Sequence, residues 1–240
     1  MIKHIKAIYR RQMFFPGLFG IFVNPFYFAR KGLCDAITEY APLLSGRLLD
    51  VGCGSQPYRP LFAVDAYVGL DIDSETSRKR GVADYLYDGK IFPFADSSFD
   101  AVLCNQVLEH VFNPDEFLGE IARVLKPGGK LLLTVPFVWD EHEQPNDYAR
   151  YSTFGLRALL EKQGIRILQH KKLGADASIL FQLANAYLFK IMQGLPKPIK
   201  LLLTGSVIAI INVFGLLASR LLPGNPDLYL DHAVIAEKVS

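Results

Sequence analysis

Arg47-Leu-Leu-Asp-Val-Gly-Cys-Gly54 is the stretch on which the fold turns. A short apolar run that ends in Asp and a Gly-x-Gly turn reads as a buried parallel strand delivering a tight loop. Outward from it, Ala66-Tyr-Val-Gly-Leu-Asp71 repeats the pattern, Ala83 to Tyr87 is a weaker strand, and Phe99-Asp-Ala-Val-Leu-Cys-Asn105 is a fourth. Asn113-Pro-Asp opens a helix that runs to Lys126 and stops at Pro127-Gly128-Gly129. Lys130 to Val135 is a fifth strand, Ser152-Thr153 opens a helix stopped by Gly164, and Ile165 to His170 and Leu228 to Lys238 supply two more strands. This alternation predicts an α/β fold, a mostly parallel sheet with helices on both faces and ligands beyond the carboxyl ends of the strands.

The polar residues fall at those ends. Gly52 and Gly54 let backbone approach a ligand closely, Asp71 follows the first glycine by about 20 residues, Asp88 follows the third strand and Asn105 closes the fourth. Pro57 stands where a dinucleotide fingerprint has its third glycine, which disfavours a nicotinamide oxidoreductase, and no Gly-Lys-Ser/Thr marks a P-loop.

Taken in order, Leu48-Leu-Asp-Val-Gly-Cys-Gly54, Val68-Gly-Leu-Asp71, Asp88 ahead of Phe92-Pro-Phe94, Ser98-Phe-Asp100, Val107-Leu-Glu-His-Val111 and Arg123-Val-Leu-Lys-Pro-Gly-Gly129 resemble class I S-adenosylmethionine-dependent methyltransferases, and more narrowly the methyltransferase type 11 group. The likeness covers roughly residues 45 to 140. It implies a Rossmann-like, seven-stranded sheet whose last strand is antiparallel, with S-adenosylmethionine as cofactor. On that resemblance Asp50, Gly52 and Gly54 shape the methionine end of the pocket, Asp71 binds ribose, Asp88 lies beside the adenine and Asn105 near the sulfonium. Gln56-Pro57 replaces small residues often found in the loop, which alters its expected shape.

Methyl transfer from a sulfonium is an in-line displacement dominated by alignment, and a base is needed only if the acceptor must lose a proton. Pro136 to Tyr151 is the densest polar and aromatic cluster in the chain. His142 is the candidate base, with Glu141, Glu143 or Asp147 to orient it. Trp139, Tyr148 and Tyr151 are candidate walls of the acceptor pocket, and Arg150 is a candidate clamp for an anionic acceptor. His110 reads as structural. The carboxylates and His142 lack the i, i+4 histidine pair of a zincin helix, so no metal is expected.

At 240 residues the chain can bury one substantial core, and its net charge of +2 gives no field that demands nucleic acid. Cys34, Cys53 and Cys104 stand apart, without zinc spacing or a disulfide framework, which suits a reducing, cytoplasmic setting. Hydrophobic content is 50%, and two regions raise it. Residues 1–44 hold Lys3, Lys6, Arg10 and Arg11 ahead of a phenylalanine-rich run, read as a basic, aromatic segment with a leading helix. Residues 45–240 form the methyltransferase domain, with a helical insertion at about 175–224 before the last strand. Its uncharged run Leu201–Ser219 would span about 28 Å as a helix. A single crossing would strand the final strand on the wrong side of a bilayer. The readings are a monotopic hairpin or apolar cap, then a homodimer face, then paired spans, with Ile208, Ile211 and Phe214 as the expected lipid-facing residues. The expected partner is a small-molecule or lipid-linked acceptor such as an isoprenoid, a quinone-like molecule or a cell-envelope precursor. The alternative is a cofactor-binding scaffold or membrane-assembly factor without turnover.

Overall fold

The computed structural model describes residues 2–239; the side chains of Lys3 and Lys6 lie outside the described residues. In chain order the elements are α1 (Ile2–Phe14), α2 (Gly20–Val23), α3 (Tyr27–Tyr40), β1 (Arg47–Val51), β2 (Ala66–Ile72), α4 (Glu75–Arg80), β3 (Tyr85–Tyr87), β4 (Phe99–Asn105), α5 (Pro114–Val124), β5 (Leu125–Pro136), α6 (Thr153–Lys162), β6 (Ile165–Leu173), α7 (Ser178–Ile191), α8 (Lys197–Leu203), α9 (Ala209–Leu221) and β7 (Asp231–Lys238). They fall into two compact units. One comprises residues up to Asp35, Val138–Asp140 and Lys172–Asp231; the other comprises Ala36–Phe137, Glu141–Lys171 and the chain from His232.

The second unit carries a seven-stranded sheet in the order β3-β2-β1-β4-β5-β7-β6. β1 runs parallel to β2 and β4, with Asp50 opposite Gly69 and Leu103, so the chain reverses direction of growth at β1. A parallel sheet with helices on both faces is buried on both faces, which is why Leu48, Leu49, Val51, Val102, Leu131 and Leu133 are all inaccessible. Cys53 and Cys104 are buried fillers. The strand expected from Lys130 begins at Leu125, because Pro127-Gly128-Gly129 is absorbed as an irregularity opposite β4 rather than ending the preceding element in a loop. β7 begins at Asp231, three residues later than its apolar run suggests, and lies between β5 and β6.

The first unit is helical and joins the N-terminal segment to the insertion between β6 and β7, two stretches the sequence reads separately. Its core of Ile21, Tyr27, Phe28, Ile179 and Leu230 surrounds a buried amide ladder. Gln182 Oε1 accepts from the backbone N–H groups of Phe28 and Ala29 (3.0 and 3.2 Å), and its Nε2 donates to the Pro25 carbonyl (3.0 Å). Asn185 donates to Asn212 Oδ1 (2.8 Å), and Asn212 donates to the Ile21 and Asn24 carbonyls (2.8 and 3.3 Å). Buried amides require such partners. Lys197–Leu221 is one 25-residue helix, long and apolar enough to cross a bilayer, yet only 22% of its most apolar stretch is buried. A π turn at Thr204–Ile208 joins α8 to α9, where Thr204 and Ser206 hydroxyls donate back to the Lys200 and Leu202 carbonyls. Of the three residues expected to face lipid, Ile208 is buried at this turn, Ile211 is half-buried, and Phe214 is exposed in a stripe with Ile210, Val213 and Leu217.

Candidate active site

β1 ends by turning through Gly52 (φ +68°) and Gly54 (φ +52°). A Cβ on Gly52 would lie 2.4 Å from Val107, so the turn after β1 and the turn after β4 close on each other only because that position is glycine. The amides of Gly52 and Cys53 both donate to the Leu70 carbonyl (2.8 and 3.1 Å), pinning the loop to β2. Gln56 takes up a left-handed conformation (φ +51°), and its amide donates to the Cys53 carbonyl (2.8 Å) ahead of Pro57. The loop therefore closes as a tight turn without a third glycine. Beneath it, a cavity of about 20 Å³ is lined by Asp50, Gly52, Tyr58, Tyr67 and Asn105, among others.

The remaining predicted residues of this edge sit where the strands end. Asp50 is buried, accepts from the Tyr67 hydroxyl (2.7 Å), and its carboxyl is pushed up to about 7 by burial. Asp71 closes β2 and is buried; Oδ1 accepts from the Ile72 amide (2.9 Å), and Oδ2 faces Arg80 (3.3 Å). Arg80 also lies beside Gly54, so it borders the space that a ribose on Asp71 would need. Asp88 is exposed beyond β3 and accepts from the Lys90 amide (3.0 Å). Asn105 Oδ1 accepts from the Thr134 hydroxyl of β5 (2.8 Å), followed by Gln106 at φ +56°. Asp84, which the sequence reading passed over, accepts from the Gly69 amide (2.7 Å) and fixes the β2–β3 edge. Glycine turn, buried carboxylates and an amide at one sheet edge fit an adenosine-bearing cofactor with an aminoacyl end.

A second constellation gathers beyond β4 and β5. His142 Nδ1 lies 3.3 Å from Asp147 Oδ2, and the His142 amide donates to the same oxygen (2.9 Å). Arg150 grips Asp147 through both terminal nitrogens (2.7 Å each) and holds its carboxyl well below the usual range. Glu141, the other expected partner of His142, is exposed and accepts from Gln144 (3.1 Å); Asp147 is the carboxylate that orients the imidazole. The His110 ring lies 4.8 Å from that of His142, edge to face, so His110 joins the site. Buried Glu109 places Oε1 3.8 Å from His110 Nε2 and 4.0 Å from His142 Nε2. Tyr151 is buried, whereas Tyr148 is exposed and packs on Phe112. Trp139 belongs to the helical unit, where its ring lies 5.8 Å from that of Phe26.

Residues 49–133 match the family described as Methyltransferase domain. The fatty-acid O-methyltransferase of Mycolicibacterium smegmatis is 38% identical over 104 residues, 37% of this chain and 36% of that protein. The ubiquinone biosynthesis O-methyltransferase of Maricaulis maris is 32% identical over 128 residues, 44% and 47% of the two chains. The chain thus spans less than half the length of either relative. Among solved structures, the [4+2]-cyclase SpnF superposes with a TM-score of 0.57 at 25% identity, covering 88% of this chain and 82% of that one. Motif order, glycine turn, strand order and family match agree: residues 49–133 of this chain carry a methyltransferase domain of the class I S-adenosylmethionine-dependent kind.

Proposed function

We propose that this chain transfers the methyl group of S-adenosylmethionine to an oxygen of an apolar or lipid-linked small molecule. The observation that carries the transfer is the Gly52–Gly54 turn with Asp50, Asp71 and Asn105 around it, a cradle for the cofactor. Bound there, the cofactor supplies an electrophilic methyl carbon. Transfer of that carbon to an acceptor hydroxyl would leave the sulfur as a neutral thioether, and the hydroxyl proton would pass to the His142 imidazole or, through it, to solvent. His142, held by Asp147, activates the acceptor; Arg150 fixes Asp147 rather than a substrate anion. Support for an apolar acceptor comes from the fatty-acid and quinone chemistry in the relatives' names and from the exposed stripe on α9. That stripe, with Lys197, Lys200 and Arg220 around it, suits a peripheral or monotopic position on the cytoplasmic face of a membrane.

The test is binding followed by turnover. Asp71→Ala lowers S-adenosylmethionine affinity by roughly 1.5–3 kcal/mol, the scale of a lost hydrogen bond to a charged group, in calorimetry. With labelled cofactor and a lipid extract, the parent deposits label in an organic-soluble product. Unchanged affinity in the variant rejects the cradle. A second reading, cofactor-assisted chemistry without methyl transfer, is favoured by the likeness to a cyclase, and tight binding with no labelled product supports it.

A further inference from the structure

We infer that Glu109, His110 and His142 form a site for one divalent first-row transition-metal ion. One ligand atom from each residue lies within 4.8 Å of the other two. The hydrogen bonds on the far side of each ring decide what faces inward. His110 Nδ1 lies 2.7 Å from the Asn146 carbonyl oxygen, which only accepts, so the ring proton sits on Nδ1 and the Nε2 lone pair faces Glu109. His142 Nδ1 stands between Asp147 Oδ2 (3.3 Å) and Arg150 Nη2 (3.4 Å), which leaves Nε2 as the ring nitrogen on the Glu109 side, 4.0 Å from Oε1. Two imidazole Nε2 atoms and a carboxylate oxygen therefore converge. A histidine that gives its other N–H to a backbone carbonyl or a carboxylate is the usual support for a metal ligand.

Arg150 stands on the Nδ1 side of His142 and pairs with Asp147. The Tyr151 hydroxyl, buried and within electrostatic reach of Glu109, has no hydrogen-bond partner among the described residues; a water on the cation would provide one. Ligand atoms around a cation bound at about 2.0–2.2 Å stand closer together than these do, and small side-chain rotations close the difference. Two imidazoles and one carboxylate select zinc, iron or manganese over magnesium or calcium, which prefer oxygen alone. The consequence for methyl transfer rests on the proposed function: an acceptor hydroxyl on the ion loses its proton near neutral pH, so His142 activates the acceptor as a ligand rather than as a base.

The experiment uses the full chain, stripped with chelator and titrated with Co²⁺, Zn²⁺ and Mn²⁺. The expected result is one equivalent bound, with a visible absorption band for Co²⁺. His110→Ala and His142→Ala each weaken binding by at least about tenfold, and Asp147→Asn, which leaves all three ligands in place, weakens it about 10–100-fold. Thermal melts accompany every variant. A parent that binds all three ions no better than the double histidine variant overturns the site, whatever the variants' stability. Cofactor affinity is measured on the same samples: metal lost with cofactor retained rejects this site alone, and the converse rejects only the methyl-transfer reading.

Discussion

At the scale of single residues, the strand-end positions were legible because a parallel sheet presents every strand's carboxyl end on one edge. Asp50, Asp71 and Asn105 needed only the periodicity of their strands to be placed. Their electrical states were not legible. Burial raises the Asp50 carboxyl from 3.8 to about 7, with the Tyr67 hydroxyl bond opposing and Asp71 adding to the shift. A folded-state pKa above the unfolded value means the folded form binds the proton more tightly. The associated stability is present below about pH 4 and is lost as pH rises through 7. Thermal melts of the cofactor-free chain are therefore expected to fall from pH 5 to 8, and Asp50→Asn to flatten that slope. Parallel slopes would show that Asp50 ionises as it does in the unfolded chain.

At the scale of elements, apolar runs located every strand and the helix after Ser152, whose hydroxyl caps it by accepting from the Gly155 amide (3.2 Å). Where one element flows directly into the next, as α5 into β5 at Leu125, glycine and proline gave a false stop, because β4 supplies the partners that local sequence does not. The insertion shows the same limit. Asn212 reads as one polar residue in an apolar run, but it bridges α9 to α7 and to the chain at Ile21 and Asn24. Asn212→Ala leaves buried amide and carbonyl groups without it, at about 1–3 kcal/mol for each unsatisfied group. Hydrogen exchange should then show α7 and α9 losing protection while β1 and β4 keep theirs. Equal protection in parent and variant would remove the ladder from the account of what holds this unit.

At the scale of the whole molecule, the exposed stripe of Ile210, Val213, Phe214 and Leu217 is the feature that a soluble domain has least reason to keep. Replacing Ile210, Val213 and Phe214 with Ser should release the chain from vesicles containing anionic lipid in flotation, since each apolar side chain contributes up to about 1.5–3 kcal/mol of burial. The melting temperature should hold, because none of the three is buried; Ile208, which is, would not serve. A parent that never floats, or a variant that melts early, assigns the stripe to another copy of the chain or to the core. By itself the sequence determined the sheet, the glycine turn and the family, because strand periodicity and loop chemistry are local and recur in order. The tertiary structure alone decided that the N-terminal segment and the insertion form one helical unit, that Asp147 rather than Glu141 orients His142, and that His142 meets His110 and Glu109. Asp147 is near His142 in sequence, and only the folded loop selects it. Glu109 and His110 meet His142 because β4 and β5 pair in parallel and end at one sheet edge, and the helical unit forms because Gln182 and Asn212 bond to backbone of the N-terminal segment.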